Sequence, residues 1–187
     1  KVFPNVKFVE LGTRGCLSSL LYSCIQHVQT QFVNIVQQDL PIVKYFDVEN
    51  VLLAMENNTS MDLVRYSLGT NKFHEKYTHN ICGKTLPKLT ITRRGLKFTQ
   101  CSQWSDNNHI AKIDHYRNLV WPNTNTHSFM EHQIQCYPVD NGYKKIWYLG
   151  ELDDGDFIDH TDGRNTKIPT YISMTTIPER LDTDWFY

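Results

Sequence analysis

The stretch Gln103-Trp104-Ser105-Asp106-Asn107-Asn108-His109 sets a flat indole beside a carboxylate, two amides and an imidazole. That mixture suits a sugar. The ring can stack on a C–H face while carboxylate and amides pair with hydroxyls. Trp104, Asn107 and Asn108 are therefore candidate acceptor-binding residues, and Asp106 a candidate base or acceptor ligand. A plainer reading also fits: an apolar helical pattern follows, and Asp106 is then its N-cap.

Three further places could do chemistry. Asp39 ends the apolar run that begins near Phe32. In open α/β sheets ligands bind beyond the carboxyl ends of strands, and a carboxylate there can hold a divalent cation and, through it, a diphosphate. The alternative is a solvated turn before Pro41. Glu131 opens a short helical pattern; it could activate an acceptor hydroxyl as general base, or merely favour the helix dipole. In Asp159-His160-Thr161-Asp162-Gly163-Arg164, His160 is a candidate metal ligand and Arg164 a candidate for phosphate, unless the run is only an acidic turn. The spacings of His109 and His115, and of His127 and His132, do not share a helical face. The sequence has no His-Glu-x-x-His motif, which disfavours a zinc hydrolase.

The elements that must position these residues follow from periodicity. Residues 6–11 predict a strand and 14–29 an amphipathic helix, with Leu17, Leu20, Leu21, Cys24, Ile25 and Val28 in register. Residues 30–39 predict a strand buried on both faces, as in a parallel sheet, so the order is βαβ. Asp47 caps a second helix carrying Val48, Val51, Leu52 and Met55. Residues 63–69 predict a strand, and 70–88, polar and Gly-containing, a long loop. Two short strands follow at 88–93 and 97–101. A helix is expected from Asp106 to about Val120, stopped by Pro122. Residues 129–136 predict a short helix and 144–152 a strand.

Composition bounds the classes. In 187 residues, 40% are hydrophobic and 12% aromatic, which is a folded chain. A net charge of -1 gives no footprint for nucleic acid or an anionic membrane. No apolar run is long enough for a transmembrane segment. Five cysteines at irregular spacing suggest neither a zinc knuckle nor a disulfide framework, and Cys16 and Cys24 read as reduced core residues. A reducing, cytoplasmic setting is expected. The overlapping sequons of Asn57-Asn58-Thr59-Ser60 would matter only in a secretory lumen.

Taken in order, the segments TQFVNIVQQDLPI, QWSDNNHIAKIDHYRNLVWP, HSFMEHQI and IDHTDGR resemble a GT-A-fold glycosyltransferase. The likeness is to the family-2-like enzymes found in multidomain proteins of algae and large DNA viruses, and it spans about residues 5–165. It implies an α/β, GT-A-like (Rossmann-like), mostly parallel sheet flanked by helices. The fold's first strand and nucleotide-base pocket would precede Lys1. The implied activity is inverting, metal-assisted sugar transfer from a nucleotide-sugar donor to a hydroxyl of a glycan or glycoprotein acceptor. Asp39 falls on the strand-end acidic motif that holds Mn2+ or Mg2+ and the donor diphosphate, and Gln37 stands where that motif's first Asp would be. Glu131 matches the catalytic base, followed by His132 where an acid is common. Asp106 is the rival base. His160 matches the histidine that completes the metal site, with Arg164 on the diphosphate. The transferase-like domain is placed at residues 1–166. Residues 167–187 read as a linker and the start of a following α/β unit. A non-catalytic carbohydrate-binding or interaction domain retaining the fold is the alternative. An iron oxygenase using His160 and Asp162 is disfavoured, since no later histidine follows in the sequence.

Overall fold

Six short strands form one mixed sheet in the computed structural model, which describes residues 10, 12, 16–69 and 71–159. They are β1 (Phe32–Ile35), β2 (Leu63–Arg65), β3 (Thr90–Arg93), β4 (Leu96–Gln100), β5 (His109–Lys112) and β6 (Ile146–Leu149). Their spatial order is β1-β5-β2-β6-β4-β3. Only β2 and β6 run parallel; the other four pairings among the described residues are antiparallel. The architecture is α/β with flanking helices, but the expected mostly parallel sheet is corrected to a mixed one. The expected strand at 6–11 lies outside the described residues.

Helices cover both faces. Val64, Ile110, Trp147, Leu149 and Phe98 face α2 (Val48–Glu56), which buries Val51, Ala54 and Met55. Asp47 caps α2 as its sequence predicts, its Oδ1 accepting from Asn50 N at 3.1 Å. Leu63, Ala111, Ile146 and Tyr148 point to the other face, under α1 (Leu17–Ile25) and α5 (Met130–Ile134). Each fully buried side chain of this size contributes about 1.5–3 kcal/mol. β6 is central and buried along its whole length.

Three other expectations fail for physical reasons. Residues 71–82 form α3 (Asn71–Cys82) rather than a loop. Its buried positions Asn71, Glu75 and Thr78 are polar, so no apolar stripe betrays it. Thr78 Oγ1 donates to Gln103 Oε1 at 3.0 Å, and Ser102 N donates to Glu75 Oε1 at 3.1 Å. Residues 106–112 are not helical. The chain enters β5 there, and helix starts only at α4 (Ile113–His115), continuing as a π turn over Tyr116–Val120 and a 3-10 turn over Trp121–Asn123. β1 pairs on one side with β5 alone among the described residues and is not buried on both faces. A sixth helix, α6 (Tyr137–Asn141), was not anticipated.

Cys82, at the end of α3, and Cys136, just after α5, form a disulfide with Cα atoms 5.6 Å apart. The irregular cysteine spacing, which suggests no disulfide framework, thus conceals one bond. Cys16, Cys24 and Cys101 are free thiols.

Candidate functional site

The parallel pair β2 and β6 gives the sheet a carboxyl edge, and the candidate acids gather there. Arg65 ends β2 opposite His109 of β5 and Tyr148 of β6. β1 also ends at this edge, since Ile35 pairs with His109. Residues 101–108 cross one face of the sheet and deliver Asp106 to the same edge.

Two clamps hold the turn that carries Asp39 against the Asp106 loop. Gln37 Nε2 donates to Asp106 O at 2.7 Å, and Gln37 N donates to Asn108 Oδ1 at 2.7 Å. Asn108 Nδ2 in turn donates to Leu40 O at 2.5 Å. Gln37, standing where the resemblance puts an acid, therefore does structural work in joining the loops.

Asp106 is 8% exposed and its carboxyl is pushed up from 3.8 to about 7. Burial is the largest cause, and the nearby carboxylate of Glu131 adds to it; Arg65 opposes, and Asp39 adds a smaller push. Asp39 and Glu131, 92 positions apart in the chain, thus each lie within electrostatic reach of Asp106. Crowded carboxyls in a desolvated place favour holding a proton.

Arg65 was not singled out from sequence. It is buried, and its Nη1 donates to Gln103 O at 3.3 Å and to Cys101 Sγ at 3.5 Å. Its guanidinium lies 5.3 Å from the Tyr148 ring centroid, and its Nε has no hydrogen-bond partner among the described residues. In sequence it is one charge at the end of a strand-like run, and nothing in that pattern marks it.

Two proposed sugar contacts do not fit. Trp104 is fully buried among Leu63, Ile146 and Tyr148, so no ligand reaches its face. Its backbone N donates to Gln135 O at 3.1 Å, and its Nε1 donates to His115 Nε2 at 3.2 Å. Asn108 is also fully buried, with both amide atoms spent on the clamps. Asp106 is not a helix N-cap, because a strand follows it. Asn107 is partly exposed, and its carbonyl accepts from His109 Nδ1 at 2.5 Å.

His160 and Arg164 lie outside the described residues. Asp159, the last described residue, donates its N–H to Pro41 O at 3.0 Å, two positions after Asp39. Among the described residues no three His, Cys, Asp or Glu side chains are grouped to hold a metal ion. Of the two expected metal ligands, Asp39 lies among the described residues and His160 does not.

Two cavities lie away from these acids. One, of about 360 Å³, is lined by Asp62, Lys112, His115, Tyr143 and Lys145 at the opposite edge. The other, of about 400 Å³, is lined by Tyr45, Phe46, Leu96, Lys97, Leu149 and Phe157. At its rim Tyr45 is 91% exposed.

No protein-family model matches the chain, and comparisons with curated proteins and with solved structures find no match. No helix among the described residues is long and apolar enough to cross a membrane.

Proposed function

We propose that the chain is a glycosyl-transfer domain that moves a sugar from a nucleotide-sugar donor to a glycan hydroxyl. The observation that carries this reading is the raised carboxyl of Asp106 beside Glu131 and Asp39 at the carboxyl edge of the sheet. A carboxyl raised by burial and neighbouring charge is one means by which a site keeps an acid protonated near neutral pH. Glu131 accepts the proton of the acceptor hydroxyl as its oxygen attacks the anomeric carbon. Asp106 holds its proton up to about pH 7, so the cluster stays short of full ionisation. Arg65 lends positive potential to an edge that must also receive an anionic diphosphate. A bound Mn2+ or Mg2+ would help offset leaving-group charge, with Asp39 contributing one carboxylate.

Glu131→Gln keeps size and polarity but removes the base. Turnover is expected to fall ~100-fold or more, while calorimetry with and without Mn2+ shows donor binding retained. Full turnover in the variant removes Glu131 from the reaction. Glycan binding by the wild type with no nucleotide-sugar binding would instead support the non-catalytic domain, a reading favoured by the structural use of Gln37.

A further inference from the structure

Two features far apart in the chain bear on the same question. Asn57-Asn58-Thr59-Ser60 holds two overlapping Asn-x-Ser/Thr sequons, which are acceptors only in a secretory lumen. The Cys82–Cys136 disulfide closes across 54 positions, a bond that forms and persists in oxidising compartments and is rare where glutathione keeps thiols reduced. From these we infer that the chain matures in an oxidising lumen and carries an N-linked glycan on Asn57.

Local structure chooses between the two asparagines. Asn57 is exposed at the end of α2, and its Nδ2 donates to Leu53 O at 2.8 Å in contact with solvent. Water replaces such an exposed bond at little cost. Asn58 is half-buried and folded back: its Oδ1 accepts from Ser60 N at 2.9 Å and from Ser60 Oγ at 2.7 Å. Its carbonyl accepts from Met61 N and from Lys112 Nζ, each at 3.1 Å, closing the turn into β2. Thr59, the hydroxyl residue of the Asn57 sequon, is exposed.

Placement also permits the modification. Asn57 lies at the edge where β5 ends with Lys112, opposite the edge of Arg65 and Asp106. A bulky glycan there leaves the carboxyl cluster open. The inference does not depend on the glycosyl-transfer reading.

Glycan transfer to Asn57 needs no oxidant. The anomeric carbon of an oligosaccharide forms a bond to Asn57 Nδ2 and breaks its bond to the phosphate oxygen of a polyprenyl-diphosphate donor. The polyprenyl diphosphate leaves with the electron pair, and Nδ2 loses one proton. Separately, the Cys82 and Cys136 thiols give up two electrons and two protons to the disulfide of a thiol–disulfide oxidoreductase.

The test is to secrete the full chain from cultured eukaryotic cells and map the tryptic peptide from Tyr45 to Arg65, which holds both asparagines. Enzymatic glycan release in heavy-oxygen water marks the occupied residue. The expected mark is on residue 57, with Cys82 and Cys136 recovered as one cross-linked peptide before reduction. Asn57→Gln and Thr59→Ala should each remove the glycan, although both leave a sequon at Asn58. A glycan on Asn58, or none on the secreted chain, overturns the assignment. The chain made in a bacterial cytosol tests the compartment: closing the disulfide with a glutathione couple should raise Tm by roughly 5–15 °C. An unchanged Tm, or failure of the pair to close, overturns the lumenal reading.

Discussion

At one edge of the sheet Asp62 meets two lysines and a phenol; at the other Asp106 meets two carboxyls and an arginine that makes no contact-distance ion pair among the described residues. Tyr143 donates to Asp62 Oδ2 at 2.8 Å, with Lys145 at 3.4 Å and Lys112 at 3.6 Å. The hydrogen bonds behind Asp62 run in one direction. An indole N–H can only donate, so Trp104 fixes His115 Nε2 as an acceptor and its proton on Nδ1. His115 Nδ1 then donates to Tyr143 Oη at 3.2 Å, and Tyr143 to Asp62. Every member has its partner, which is how a buried polar network adds rigidity. The Asp106 edge is built on like charges instead. Glu131 and Asp39 each push up the Asp106 carboxyl, and the Arg65 Nε has no hydrogen-bond partner among the described residues. Like charges gathered around a buried, raised carboxyl are a feature that recurs at binding and catalytic sites.

The largest expected break in this comparison comes from Asp106→Asn. The folded-state pKa of Asp106 lies above its unfolded value, so its ionisation opposes folding. Wild-type stability from this group is full below about pH 4, falls as pH rises towards 7, and stays lower beyond it. The variant should match the wild type near pH 4 and exceed it at pH 8 by on the order of 4 kcal/mol, as read by urea unfolding at both values. The buried histidines 74, 109 and 115 act with opposite sign. Burial lowers them to about 4, about 4 and about 3, so their contribution is lost as pH falls below 6.5. With Asp106 removed, the rise from these histidines should remain in that window. Equal stabilities at pH 8 would mean that burial beside Glu131 does not penalise the Asp106 carboxylate.

A smaller effect of the other sign is expected from Tyr143→Phe. It strands the His115 Nδ1–H and removes one bond to Asp62, and should cost about 1–3 kcal/mol at all neutral pH values. Sugar transfer should be unchanged. A variant that unfolds no more easily but transfers poorly would move the working site to the Asp62 edge.

Much of the scaffold could be read in advance where the buried face is apolar. α1, α2 with its Asp47 cap, α5 and β6 all follow from spacing. α3 could not, because Asn71, Glu75 and Thr78 are buried for their hydrogen bonds; their spacing of four and three is the signal that was available. β5 was misread because Ile110, Ile113 and Val120 are also in helical register, and Lys112 makes no side-chain cap to mark the change of backbone. The acids of the candidate site were legible one by one. Their meeting was not, since it depends on the amides of Gln37 and Asn108 bonding across about 70 positions. Trp104 shows the converse: a residue type suited to sugars is spent on the core. The Cys82–Cys136 pairing is likewise set by the approach of α3 to α5, which no spacing encodes.

The most direct test of the crowded edge is a carbon NMR titration of the Asp106 carboxyl, in the wild type and in Glu131→Gln. The account predicts a wild-type midpoint near pH 7 and a lower one in the variant, because one of the carboxylates that raise it is gone. A wild-type midpoint near the ordinary 3.8, unmoved by the substitution, would contradict it.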